Sequence, residues 1–124
     1  MEFQSPGPYG LYGLYVPGGT EPVPAAFGEA AKRFEEARVE YDAGRWRAAS
    51  RAFLDAAAIY PRDQGPHASI SAANRGVAYR NADLSFRMAG AMDEARQTFE
   101  ALLASDPECA VPLGEILSHL SQVP

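Results

Sequence analysis

Apolar residues recur at three- and four-residue steps through most of this chain of 124 residues, which is the period of an amphipathic helix. Phe34, Ala37 and Tyr41 form one such stripe, and it ends at Ala43-Gly44. A second stripe begins at once and stops at Pro61, where a proline cannot continue the helical hydrogen bonds. Its members are Trp46, Ala49, Phe53, Ala56 and Tyr60. Because the connection is so short, these two helices are predicted to form an antiparallel hairpin.

The same period predicts three further helices. The first runs from about Ser69 to Ala89 and is apolar on two sides, so we expect it to pack against neighbours in two directions. One of its sides carries Ile70, Ala73, Val77, Leu84 and Met88. The next helix follows Gly90 and ends at Asp106-Pro107, and residues 111–123 form an amphipathic closing helix. The pattern predicts an all-α fold of about five helices: two antiparallel hairpins and a C-terminal capping helix.

Residues 1–24 break this pattern. They hold five of the ten prolines and five of the eleven glycines, a density that excludes a helix and disfavours an interior strand. We therefore divide the chain into an extended tail, residues 1–24, and a helical domain, residues 25–124. Part of the tail is too apolar for a solvated linker, so another surface is expected to cover it. The residues predicted to make that contact are Tyr9, Leu11, Tyr12, Leu14 and Tyr15.

An internal repeat of 46 residues aligns the second predicted helix with the fourth. The matched pairs are Gly44 and Gly90, Trp46 and Met92, Ala49 and Ala95, Phe53 and Phe99, Ala56 and Leu102, and Pro61 and Pro107. These residues resemble the second half of a tetratricopeptide repeat, in which a turn glycine, an aromatic, small residues around a large apolar one and a closing proline follow in this order. The resemblance covers about residues 30–110.

The chain departs from that family in several places. Its period of 46 residues is longer than the roughly 34 typical of the family. Arg33, Glu36 and Glu40 stand where apolar residues are expected, and Asp83 stands where a small residue is usual. Two hairpins are also few for a repeat array, so the end faces need cover. The closing helix can cap one end, and the tail or a second copy of the chain can cover the other.

The resemblance implies a concave groove, lined by the first helix of each hairpin, that binds a segment of a partner protein. The predicted groove residues are Phe34, Arg38, Tyr41, Arg80, Leu84 and Arg87. Arg80 and Arg87 are two helical turns apart, and their forked donors suit an acidic or C-terminal peptide. The alternative is that Phe34 and Tyr41 are core residues and the arginines form a solvated face. The tail can occupy this groove in its own chain or in a neighbour, or it can anchor a partner elsewhere.

Composition narrows the function classes. A net charge of −5 and a pI near 4.9 disfavour nucleic-acid binding. The sequence has neither a signal-peptide pattern nor a membrane-spanning run, and with Cys109 as its one cysteine a reducing, cytoplasmic location is expected. His67 and His119 lack metal-ligand spacing, so we expect no metal, no cofactor and no enzymatic activity. The sequence predicts a protein-binding adaptor or chaperone. The alternatives are a structural subunit that self-assembles through its tail and, third, an enzyme accessory protein or weak enzyme with an unrecognised site.

Overall fold

The computed structural model describes residues 10–19, 22–62 and 65–122. These residues form five α-helices and one short 3-10 helix, and contain no strand. The helices are α1 (Ala25–Asp42), α2 (Trp46–Ile59), α3 (Ala68–Met88), α4 (Met92–Ser105) and α5 (Ala110–Ser121), with the 3-10 helix at Pro107–Cys109. The all-α prediction is confirmed, and each helix lies close to its predicted bounds.

The turns after α1 and α3 have the same geometry. Gly44 and Gly90 adopt φ angles of +79° and +71°, a left-handed conformation that glycine takes without steric cost. Gly44 N–H donates to Tyr41 C=O at 3.0 Å, and Arg45 N–H donates to Glu40 C=O at 2.9 Å. The equivalent pair of bonds closes α3 at Gly90. Both ends are Schellman caps, which satisfy the last carbonyls of a helix and reverse the chain.

The internal repeat is visible in the helices themselves. α2 and α4 each contain 14 residues, and both of their ends are offset by 46 positions. Phe53 and Phe99 are fully buried at matching positions. Phe53 meets Phe34 of α1 edge-to-face with ring centroids 5.1 Å apart, and Phe99 meets Phe86 of α3 in the same way at 5.9 Å. An aromatic pair therefore joins the two helices of each hairpin.

The core runs through all the helices. α2 packs between α1 and α3, and α5 covers α3 and α4 at the other end of the molecule. The main cluster of buried residues also includes Leu11 of the tail. Met88, predicted on an apolar side of α3, is instead 50% exposed because it is the last residue of that helix, where the chain turns away. Among the described helices, none combines the length and the apolar character that a bilayer crossing requires.

Candidate functional site: a groove along α3

The described part of the tail lies along α3 and is held there through its backbone. Tyr12 N–H donates to Asn81 Oδ1 at 2.8 Å, and Asn81 Nδ2 donates to Tyr12 C=O at 2.9 Å. Asn74 holds Tyr15 in the same way, with distances of 2.7 and 3.0 Å. The amide group of each asparagine thus forms hydrogen bonds with both the N–H and the C=O of one tail residue.

A third contact continues this row towards the start of α3. His67 Nε2 lies 3.1 Å from Pro22 C=O and, because a carbonyl oxygen only accepts, Nε2 is the donor. His67, Asn74 and Asn81 are spaced by seven residues, or two helical turns, and so lie on one side of α3. We call these three side chains the polar ladder. Their partners follow in the reverse order along the chain, so the tail runs antiparallel to α3.

The ladder residues are buried polar groups that the tail satisfies. Asn74 and Asn81 are 1% and 0% exposed. A buried amide without a partner costs roughly 1–3 kcal/mol, so these side chains need the hydrogen bonds that the tail backbone supplies. Leu11 is itself only 6% exposed, and Tyr12, Leu14 and Tyr15 pack half-buried against the same core. Four of the five predicted tail contacts therefore lie against the helices, and Tyr9 lies outside the described residues.

The tail occupies a groove along α3, and a cavity of about 770 Å³ stays open beside its two tyrosines, between α3 and the segment that begins α5. Ala72, Ala73 and Gly76 of α3 line it, and these small residues leave the space open. α3 and α5 approach closely at Gly76, where an added Cβ would lie 3.2 Å from Pro112 Cγ. The width of this cavity is therefore set by the small residues of α3.

Three of the predicted groove residues lie beside Tyr12, where the tail contacts the C-terminal half of α3. Arg80, Leu84 and Arg87 line a smaller cavity of about 160 Å³ with Tyr12. Arg80 pairs with Glu115 at 2.8 Å, and Arg87 pairs with Asp83 at 3.0 Å. Both arginines thus already have carboxylate partners within the chain.

Asp83 is a buried carboxylate in the wall of this small cavity. Its Oδ1 and the Nη2 of Arg87 are buried without a hydrogen-bond partner. Burial raises the pKa of Asp83 above its ordinary value, and the opposing effect of Arg87 does not cancel it. Asp83 therefore adds a polar group to the cavity beside Tyr12.

The other three predicted groove residues lie elsewhere. Phe34 and Tyr41 are 3% and 7% exposed and belong to the main core, which is the alternative that their helical stripe had left open. Arg38 is exposed on α1 and pairs with Glu35 at 3.4 Å. Phe34 and Tyr41 are core residues because the stripe of α1 faces α2, as the contact between Phe34 and Phe53 shows, and the role of Arg38 stays a prediction.

A buried charge cluster around Arg75 fixes the position of α3. Arg75 Nε and Nη2 donate to the two oxygens of Asp106 at 2.9 and 3.1 Å, and both residues are at most 1% exposed. Nη2 also donates to Glu108 at 2.8 Å, while Nη1 donates to Pro61 C=O at 3.2 Å and to Ser71 Oγ at 3.1 Å. These five hydrogen bonds use all five N–H donors of the guanidinium group. They tie α3 to the ends of both α2 and α4.

Asp106 stays ionised in this cluster. Burial opposes its charge, but hydrogen bonds from Arg75 and from the Tyr79 hydroxyl, at 2.7 Å, outweigh that effect and hold the pKa of Asp106 below its ordinary value. Because Arg75 follows Asn74 directly, the cluster also fixes the rotation of α3 that turns Asn74 towards the tail. The role of Arg75 was not predicted from the sequence, although a charged residue among the small residues at 72–78 is an unusual feature.

The groove offers hydrogen bonds and apolar contact. Burial raises the pKa of the Cys109 thiol to about 11, so the thiol stays protonated at neutral pH, and it donates to Ala72 C=O at 3.4 Å. No group of three histidine, cysteine, aspartate or glutamate side chains in the described part of the chain could hold a metal ion. What the arrangement can do is hold a segment of extended backbone.

The polar ladder, too, was not predicted from the sequence. Its signal is the seven-residue spacing of His67, Asn74 and Asn81, which an apolar-period search does not register. Comparison of the chain with models of protein families, with curated proteins and with solved structures gave no match. The resemblance to tetratricopeptide repeats therefore depends on the residues of this chain alone.

Proposed function

We propose that this protein is a binding module of the adaptor or chaperone type, which holds an extended segment of another protein along α3. One observation carries the proposal: Asn74 and Asn81 each bind both the N–H and the C=O of a residue in an extended segment. The segment seen there is the chain's own tail, and it serves as the model for the partner.

Recognition through the backbone suits a module that binds segments of another protein. Main-chain hydrogen bonds provide affinity for any extended peptide, while side-chain pockets provide selectivity. Four such bonds at about 0.5–1.5 kcal/mol each amount to about 2–6 kcal/mol before any apolar contact is added. In the groove, the apolar contact comes from positions equivalent to Leu11, Tyr12, Leu14 and Tyr15.

This proposal changes the chemistry that the sequence had suggested for the groove. Arg80 and Arg87 were expected to bind an acidic or C-terminal peptide. Within the chain, however, Arg80 already forms an ion pair with Glu115, and Arg87 forms one with Asp83. We therefore assign the binding of the segment's backbone to the two asparagines. The arginines line the cavity next to the bound segment. As the sequence analysis expected, we place the module in a reducing, cytoplasmic location.

The proposal can be tested by separating the tail from the helical domain, so that binding of the tail sequence can be measured as binding of a free peptide. A protease site placed at Gly18-Gly19, where both residues are exposed, allows the folded chain to be cut so that the tail can dissociate. A fluorescent peptide with the sequence of residues 10–17 should then bind the cut chain, as measured by anisotropy. Asn81→Leu should weaken binding roughly ten-fold, because two hydrogen bonds are lost. Gln97→Leu also replaces an amide side chain with leucine, but at an exposed position on α4, and should leave binding unaltered.

The outcome that contradicts the proposal is a cut chain that keeps its helical circular dichroism but binds no peptide at millimolar concentration. Equal binding by the Asn81→Leu and Gln97→Leu variants would also contradict it, because the asparagine would then contribute nothing.

A second function is favoured by the identity of the segment in the groove. Because the tail belongs to this chain, every further copy carries a segment of the same sequence, and exchange of tails would join copies into an assembly. Light scattering over a concentration series separates the two functions. A self-assembling subunit forms oligomers that disappear when residues 1–24 are removed, whereas a module for foreign segments stays monomeric in both forms.

A further inference from the structure

The tail and α3 carry repeats of different lengths that cover the same distance. Along the tail, the sequence Leu-Tyr occurs at positions 11–12 and again at 14–15, with Gly13 between the two pairs. Three residues of extended chain span about 10 Å. Asn74 and Asn81 are seven residues apart on a helix that rises about 1.5 Å per residue, which gives about 10.5 Å. One tripeptide of extended chain therefore matches one two-turn step of the ladder.

The same register governs the side chains. Each residue held by an asparagine is a tyrosine, and each is preceded by a leucine that packs against the core. Leu11 is buried, whereas the intervening Gly13 makes no hydrogen bond to the ladder. Shifting one Leu-Tyr pair by a single residue would move it about 3.3 Å along α3, so its tyrosine would no longer meet its asparagine while the other pair stayed in place. The hydrogen bonds to the two asparagines therefore specify one spacing of the Leu-Tyr pairs.

We propose that the groove selects extended segments in which an aliphatic–aromatic pair recurs every third residue, of the form Leu-Tyr-x-Leu-Tyr, and that the chain's own tail is a resident competitor for the groove. This inference rests on the proposed function and names the class of segment that the module binds. The partner is a protein segment rich in leucine, tyrosine and glycine with this period. A proline cannot occupy either held position, because it lacks the N–H that Asn74 or Asn81 accepts.

The resident tail sets the concentration at which a foreign segment can enter. A segment tethered by a short linker has an effective concentration on the order of millimolar at its own site. A partner must exceed this value, either through higher affinity or through several repeats in one chain. Binding is therefore a displacement, in which the amides of Tyr12 and Tyr15 lose their acceptors on α3.

The experiment uses the intact, isotope-labelled chain and two unlabelled peptides. The matched peptide has the sequence of residues 10–17, and the offset peptide has one extra glycine between the positions of Gly13 and Leu14. Hydrogen exchange at the Tyr12 and Tyr15 amides reports displacement of the tail. The matched peptide should accelerate both at a concentration at least ten-fold lower than the offset peptide, since the offset peptide reaches only one asparagine at a time.

Three outcomes would overturn the inference in distinguishable ways. If both peptides displace the tail equally, the groove does not read the spacing, and the proposed function survives. If a peptide binds but leaves the exchange of both amides unchanged, the tail is not its competitor. The third outcome is that neither peptide changes the exchange of the two amides, although both amides exchange faster than the whole chain unfolds. The tail then leaves the groove without a peptide taking its place, and the proposed function fails as well.

A variant of the chain itself tests the register without any peptide. Inserting one glycine after Gly13 should leave only one of the two tyrosine amides protected, and the helical core should remain folded. Protection of both amides at the wild-type level would overturn the tripeptide register.

Discussion

Replacing Arg75 with methionine should strongly destabilise the fold. The side chain is fully buried and makes a two-point contact with Asp106, which is 1% exposed. Arg75→Met leaves that carboxylate buried with only the Tyr79 hydroxyl as a close donor, apart from Arg62 at 3.6 Å. Breaking one side of a buried ion pair costs about 3–5 kcal/mol. That is a large share of the about 5–15 kcal/mol that stabilises an ordinary domain.

Urea denaturation can measure this loss. Circular dichroism follows the helices, and Trp46, the one tryptophan, gives an independent fluorescence signal at the start of α2. The control is Arg51→Met, which makes the same substitution at an exposed position on α2 and should change the free energy of unfolding by no more than about 0.5 kcal/mol.

A double variant separates loss of packing from loss of charge balance. Arg75→Met combined with Asp106→Leu removes both charges, so it should be more stable than Arg75→Met alone. The reasoning is refuted if Arg75→Met costs less than about 1 kcal/mol, or if the double variant is less stable than the single one. Because Arg75 also fixes the rotation of α3, Arg75→Met should accelerate exchange of the Tyr15 amide, which Asn74 accepts.

Three other predictions follow from single positions. Asp106 has a lowered pKa in the folded state, so its stabilising contribution is present above about pH 4 and is lost as the pH falls further; acid unfolding should be less steep in Asp106→Asn. Gly44→Ala should lower the free energy of unfolding by about 1–2 kcal/mol because the φ angle of Gly44 is +79°. Gly114→Ala should raise it by up to about 1 kcal/mol, because Gly114 lies inside α5 and an added Cβ would meet nothing within 4 Å. Equal effects of the two substitutions in urea denaturation would contradict this reasoning. Gly76→Leu should push α5 away from α3, since even a Cβ lies 3.2 Å from Pro112, and should cost about 1–3 kcal/mol, whereas Gly114→Leu should cost less than half as much.

The fold was largely predictable from local signals. Gly44 and Gly90 marked the helix ends because a left-handed residue there is cheapest for glycine, and the structure places both in Schellman caps. The stripe through Phe53 and Phe99 identified the buried faces of α2 and α4. Such signals act within a few residues of the chain, so a single sequence carries them.

The candidate site was only partly predictable. Arg80, Leu84 and Arg87 lie beside the tail, but Phe34 and Tyr41 lie in the core. A helical stripe shows that residues share a face, but not which neighbour that face meets. The direction in which α1 packs depends on α2, and no local pattern in α1 encodes it.

By itself, the sequence determined the five helices, the turns that reverse the chain and the apolar character of the tail, since each depends on residues close together in the chain. Only the tertiary structure decided that the tail runs antiparallel to α3 and that Asn74 and Asn81 hold its backbone across 59 and 69 residues of sequence. It also decided that Arg75 meets Asp106, 31 positions away. Asparagine and arginine side chains have many potential partners, and the packing of distant helices selects among them.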